Sequence, residues 1–176
     1  MAGQSLTDKT ALEQQAGSGD LLMVVDVSDT TGSAEGTSKK TDFKYVIQTD
    51  KFSLNNTEVQ ALDSTPKTLV GALSGYMVTI YNVTTLCTYA SATETANKYL
   101  YLGYDSSVTT AAWVSHRGMM NNVTGDSTFA FSAGPTSTGV CTSSILNKPF
   151  VMWSSGAFNG GWSMDVYVSY AYTKVL

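Results

Sequence analysis

From Tyr76 onward the chain is a succession of short apolar and aromatic runs, "YMVTIYN", "KYLYLGY", "AAWVSH", "STFAFSA", "PFVMW" and "SMDVYVSYAY", separated by clusters of Gly, Asn, Ser and Thr. This pattern constrains the fold more than any other feature. In the last run Met164, Val166, Val168, Tyr170 and Tyr172 share one face of an extended strand, while Asp165, Tyr167, Ser169 and Ala171 share the other. A period of two with one apolar face requires a second layer to cover that face. The runs recur mostly at or somewhat above the spacing of about 8 to 12 residues typical of antiparallel sandwiches, and no helical period interrupts them. The predicted fold is mainly β, with an antiparallel, jelly-roll-like β-sandwich over residues 71–176.

The first 70 residues read differently. In "TALE", Thr10 and Glu13 have the spacing of a capping box, and Gly17 is a natural stop, which predicts a helix of one or two turns. "GDLLMVVDV" predicts a strand from Leu21 to Val27, and its lack of polar alternation predicts burial on both faces. Ser28 to Lys40 have no periodicity and are expected to form an exposed loop. A second strand is expected from Phe43 to Gln48. "SLNNTEVQALDSTPKTLVGALSG" fits neither period, and Pro66, Gly71 and Gly75 mark it as the junction. A small N-terminal α/β module, residues 1–70, is thus expected to precede the sandwich.

Composition excludes several partners. Only 14% of the residues are charged, the net charge is −4 and Lys39-Lys40 is the one tight basic pair. Phosphate backbones and anionic membranes need clustered cations to displace counterions, so neither nucleic acid nor a membrane surface is expected as a partner. The longest apolar run, Leu21 to Val25, is far short of the roughly 20 residues of a spanning helix, and "MAGQSLTDKT" lacks a basic-then-apolar leader. Synthesis in a cytoplasm is the expectation. There, Cys87 and Cys141 are read as buried free thiols in preference to a bridge across the sandwich. The sequons at Asn55, Asn82 and Asn122 are read as products of a Thr-rich composition.

Four groups of residues invite a chemical reading. "DTTG", Asp29 to Gly32, has one hydroxyl residue too many for the tight turn that presents paired protease carboxylates, so no catalysis is expected there. Asp26, Asp29 and Glu35 lack the ladder spacing of a calcium loop, and a solvated turn with Asx hydrogen bonds is expected instead. "GDST", Gly125 to Thr128, resembles an esterase block, but the sole histidine, His116, lies upstream with nothing around it that reads as a charge relay. A hairpin turn into the next strand is expected instead. One histidine and two remote cysteines also fall short of a zinc site. No catalytic, metal or cofactor residue is therefore expected. The aromatic group, Trp113, Trp153 and Trp162, is read as core and subunit interface. The alternative is stacking on host glycans by Trp153, Phe158, Asn159 and Trp162 around "SSGAFNGGW".

The segment "LTDKTALEQQAGSGDLLMVVDVSDTTGSAEGTSKK" resembles the N-terminal segments of tailed-bacteriophage virion proteins, particularly tail-fibre and head-fibre proteins. The residues that carry the resemblance are Leu6 to Leu12, Gly19-Asp20, Val24 to Thr31 and Gly36 to Lys40, about the first fifth of the chain. Relatives of this type commonly continue as "I-T-L-x-N-L", where this chain reads "TDFKYVIQTD", so the resemblance implies nothing for the docking of residues 41–65. It implies a non-enzymatic structural protein of the virion, a small fibre or capsid-decoration protein anchored to capsid, collar or tail. Homotrimeric assembly is implied as well, with the surplus of aromatics buried between subunits. On this reading Leu21, Leu22, Val24, Val25, Val27, Asp29, Lys39 and Lys40 are the expected attachment residues.

Overall fold

The computed structural model describes residues 21–32, 34, 36–42, 46–104, 112–132 and 145–175. The chain divides into two compact units, residues 1–46 and 47–176. In the first, strand β1 (Leu21–Asp26) pairs antiparallel with β2 (Thr37–Asp42) to form a two-stranded hairpin. The helix expected over Thr10 to Gly17 lies outside the described residues.

The second unit contains β3 (Gln48–Leu54), α1 (Asn56–Gln60), β4 (Lys67–Val70), β5 (Tyr76–Tyr89), β6 (Tyr99–Tyr104), β7 (Ala112–Arg117), β8 (Ser127–Ser132), β9 (Phe150–Ser154) and β10 (Trp162–Lys174). These form two four-stranded antiparallel sheets, ordered β3-β10-β5-β8 and β4-β9-β6-β7. The first strand pairs with the last, β4 with β9, β5 with β8 and β6 with β7. One long nested hairpin is thus rolled up, and the β10–β5 and β9–β6 contacts close each sheet. This is the topology of an eight-stranded jelly roll, the mainly-β sandwich that the strand pattern called for.

All six runs read as strands after Tyr76 are strands here. The junction expected near residue 70 instead falls after Val46. The reason is topological: β3 and β4 are the outer partners of β10 and β9, so residues 48–70 complete the roll. Their sequences, "QTDKFSL" and "KTLV", are short and carry the weak apolar signal of edge strands. Of the strand expected at Phe43 to Gln48, residues 43–45 lie outside the described residues, Val46 and Ile47 are not in a strand, and Gln48 opens β3. Helix α1 lies in the segment that fitted neither period. Asn55 caps it: its side chain accepts from the Glu58 N–H, and the Glu58 carboxylate accepts from the Asn55 N–H. This satisfies two donors otherwise orphaned at a helix start.

Both sheets contribute to one core. Met164, Val166, Val168 and Tyr170 of β10 point inward, as do Val78, Ile80 and Val83 of β5, to meet Leu100 and Leu102 of β6 and Phe150 and Met152 of β9. Each such aliphatic or aromatic burial contributes roughly 1.5–3 kcal/mol. The pairing of β10 with β5 skips Tyr81, since Ser169 faces Asn82 and Tyr170 faces Ile80. This bulge turns Tyr81 to solvent. On the opposite face of the second sheet Tyr101, Val151 and Trp153 form a separate buried cluster, with Tyr99 stacked on Tyr101 and Tyr101 on Trp153. No helix among the described residues is long and apolar enough to cross a membrane.

Candidate functional site

Most of the residues expected to attach the protein lie in the β1–β2 hairpin. Register places Met23 opposite Lys40 and Val24 opposite Lys39, so the apolar side chains of β1 face polar ones across the ladder. Burial on both faces, expected for this strand, is not what the structure shows. Met23 is 67% exposed, Val24 43% and Val27, just past the strand, 76%. The side chains of Leu21, Leu22 and Val25 are not among those described. Thr37 to Lys40, expected as the end of a loop, belong with Thr41 and Asp42 to β2, because they ladder against β1.

The connection between the strands is a built turn. The Asp26 carboxylate accepts from the N–H and hydroxyl of Ser28, at 3.0 and 2.6 Å, and that of Asp29 accepts from the N–H and hydroxyl of Thr31, at 3.1 and 2.6 Å. These are Asx turns of the kind that the sequence predicts around Asp26 and Asp29. The Lys39 ammonium lies 2.8 Å from both Asp26 and Asp29. It holds the Asp29 carboxyl down to about 2, with Thr31 assisting, and holds Asp26 well below the usual carboxylate range, with Ser28 assisting. The two carboxylates in turn raise the Lys39 pKa. Asp29 and Lys39, expected to contact a partner, are therefore committed to the turn, whereas Met23, Val24, Val27 and Lys40 point outward.

The other motifs resolve into structure. In "GDST" the Asp126 carboxylate accepts from the Tyr89 N–H at 2.9 Å, and Ser127 opens β8. The turn joins the two sheets and is not the expected hairpin, because β7 and β8 lie in different sheets. His116 lies between Phe129 and Phe131, ring centroids 5.3 and 6.0 Å away, and its buried Nδ1 has no hydrogen-bond partner. Among the described residues no carboxylate orients it for a charge relay. Burial pushes the Cys87 thiol up to about 12, and Cys141 lies outside the described residues. No group of three or more metal-ligating side chains occurs among the described residues.

Of the four residues weighed for glycan stacking, Phe158 and Trp162 pack edge-to-face in the core and Trp153 is buried against Tyr101. Only Asn159 is exposed. The aromatic faces that stacking requires are thus covered, as the core reading of Trp153 and Trp162 expects. Around Asn159 the loops form a polar knot that the sequence reading missed. Glu94 is 1% exposed, and its carboxylate accepts from the N–H groups of Ala96, Asn159 and Gly160 at 2.7, 2.9 and 2.8 Å. A Cβ on Gly160 would lie 2.9 Å from the Glu94 nitrogen, so glycine is what lets these loops close. A lone acid within "SATETANK" gives no periodic signal. Its only trace is the paired glycines of "FNGG" some 65 residues away. A cleft of about 240 Å³ between α1 and β4 was likewise illegible; Leu54, Ala61, Leu62 and Pro66 line it, with the Glu58–Lys67 ion pair alongside.

No protein-family model matches this chain, and no curated protein matches it. Among solved structures it is similar, at 13% identity and a TM-score of 0.42, to a chain described as "Cyanophage Pam1 capsid asymmetric unit", with 97% of each chain covered. No functional assignment rests on a likeness this distant.

Proposed function

We propose that this chain is a non-enzymatic structural protein of a tailed-phage particle, a small fibre or decoration protein whose jelly roll is displayed and whose N-terminal unit attaches it to another virion protein. The observation that carries the reading is the exposure of three apolar side chains, Met23, Val24 and Val27, on a hairpin whose second strand offers only polar partners. An isolated two-stranded hairpin is marginal in water, and exposed apolar side chains on it call for cover. The resemblance of Leu6 to Lys40 to phage fibre N-termini supplies the class of partner: capsid, collar or tail. The jelly roll, an architecture frequent in capsid and lectin domains, and a surface poor in charge fit display on a particle.

Attachment runs through Met23, Val24, Val27 and Lys40, together with Leu21, Leu22 and Val25 of the same strand, while Asp29 and Lys39 keep the turn in shape. The assembly is a homotrimer, with surplus aromatic area buried between copies. Glycan recognition by Trp153, Phe158 and Trp162 is no part of this proposal, because all three are buried. Removal of residues 1–46 is the test: the remaining jelly roll is expected to fold and to be absent from particles assembled in its presence. Normal incorporation of the truncated chain would overturn the reading. Native mass spectrometry tests the trimer, and a monomer alone at micromolar concentration would exclude it.

A further inference from the structure

We propose that Asn159 is a self-modification site, at which the fold itself promotes closure of the Asn159–Gly160 pair to a succinimide and its hydrolysis to aspartate and isoaspartate. This stands apart from the attachment reading, because it rests only on the loops at one end of the jelly roll.

The reaction needs a nucleophile, an activated carbonyl and a base, and the knot around Glu94 holds one of each. The nucleophile is the Gly160 nitrogen, which carries no neighbouring Cβ to block its approach to the Asn159 Cγ. The Asn159 Oδ1 accepts from the N–H groups of Thr95 at 2.9 Å and Ala96 at 3.2 Å. The Thr95 N–H, with the Ala96 N–H that Asn159 shares with Glu94 Oε1, polarises the Cγ and holds the oxyanion that attack creates. The Gly160 N–H is 2.8 Å from Glu94 Oε2, a buried carboxylate placed to take its proton. The departing nitrogen, Asn159 Nδ2, donates to the Thr95 hydroxyl at 3.0 Å.

In the step, the Gly160 N–Cγ bond forms as the Gly160 proton passes to Glu94. The Cγ–Nδ2 bond then breaks, and ammonia leaves with the proton that Glu94 returns. Water adds to either imide carbonyl, opening the ring to aspartate or to isoaspartate, so the sum is one water taken up and one ammonia released with no redox change. Asn159 is exposed, which admits that water, whereas Glu94 is shielded. The product carries a new negative charge on this loop end.

The test is to incubate the full chain at mildly alkaline pH, folded and in parallel fully unfolded in urea. Conversion at residue 159 is followed by peptide mass and by isoaspartate detection. Folded protein is expected to convert at least about tenfold faster than the unfolded chain, a conservative share of what a positioned base contributes. A folded rate equal to or below the unfolded rate overturns the proposal, because the knot would then protect Asn159. Glu94→Gln keeps an oxygen acceptor but removes the base, and is expected to cancel the folded-state excess in protein shown to fold by circular dichroism. A folded variant that retains the full excess would also overturn it. Should that variant not fold, the comparison of folded and unfolded native sequence decides alone.

Discussion

Strands β1 and β9, "LLMVVD" and "FVMWS", look alike as sequences: short, apolar and without polar alternation. Both call for cover on two faces. Strand β9 has it within its own chain, since Phe150 and Met152 enter the inter-sheet core while Val151 and Trp153 join the cluster on the opposite face. Strand β1 leaves Met23 and Val24 in solvent. The difference lies in topology. Strand β9 sits between β4 and β6 in a four-stranded sheet, whereas among the described residues β1 has the single partner β2, whose residues facing Met23 and Val24 are lysines. An apolar run specifies a need for cover but not the molecule that supplies it.

The sharpest way to break the comparison is truncation at the two boundaries. A chain of residues 47–176 retains all eight strands of the roll and is expected to give a cooperative unfolding transition and a β-type circular dichroism spectrum. A chain of residues 71–176 loses β3 and β4, baring the edges of β10 and β9 and removing Leu54, Val59, Leu62, Leu69 and Val70 from the core. It is expected to aggregate or remain unfolded. A cooperative transition in the shorter chain would show that residues 47–70 are an appendage and not part of the roll.

Next in size are matched substitutions in the two strands. Phe150→Ala, at a side chain with no exposure, is expected to destabilise the jelly roll by about 3–5 kcal/mol in urea unfolding, through lost transfer energy and the cavity left behind. Met23→Ala is expected to change stability by no more than about 0.5 kcal/mol, because a solvated side chain loses little. In the attachment reading Met23→Ala lowers incorporation into particles while Phe150→Ala acts only through folding. A large loss of stability from Met23→Ala would mean that the chain covers its own hairpin.

A smaller effect is expected at the cap of α1. Asn55→Ala removes the acceptor for the Glu58 N–H and is expected to cost about 1 kcal/mol. A negligible change would mean that Val59, buried in the core, holds the helix without its cap.

What was legible in the sequence follows from how far each signal reaches. Period-two alternation in β10 and the apolar runs of β5 to β9 are local, and they marked the strands of the sandwich correctly. β3 and β4 were not legible because Gln48, Asp50 and Lys67 dilute the pattern, and their place is set by partners roughly 80 to 120 residues away. Helix α1 has five residues and one buried side chain, too short for a period, and the cap spacing of Asn55 and Glu58 went unread. The candidate site divides the same way. The Asx turns at Asp26 and Asp29 were readable because their donors lie two residues from their acceptors. The Glu94 knot was not, because its ligands come from two loops that only the closed roll brings together. The aromatics of "SSGAFNGGW" left core and surface both open until the fold buried Phe158 and Trp162.

The smallest expected effect concerns the turn that shapes the hairpin. Folding depresses the Asp26 and Asp29 carboxyls, so their contribution is fully present above the ordinary aspartate value near 3.9 and is lost as pH falls through the folded value, about 2 for Asp29. The leading cause is the hydrogen-bonded Lys39 ammonium, with the Ser28 and Thr31 donors second. Lys39→Met removes the first and leaves the others. The Asp29 midpoint, followed by side-chain carboxyl NMR, is therefore expected to rise but to stay below the ordinary value. All three groups are solvent-accessible, so global stability is expected to change little. The informative readout is local: the chemical shifts of residues 26–32 should become more sensitive to acid in the variant, while those of β10 do not move. An Asp29 midpoint unchanged by Lys39→Met would mean that the Asx turn alone holds this connection, leaving Lys39 available for the contact that the attachment reading assigns to Lys40.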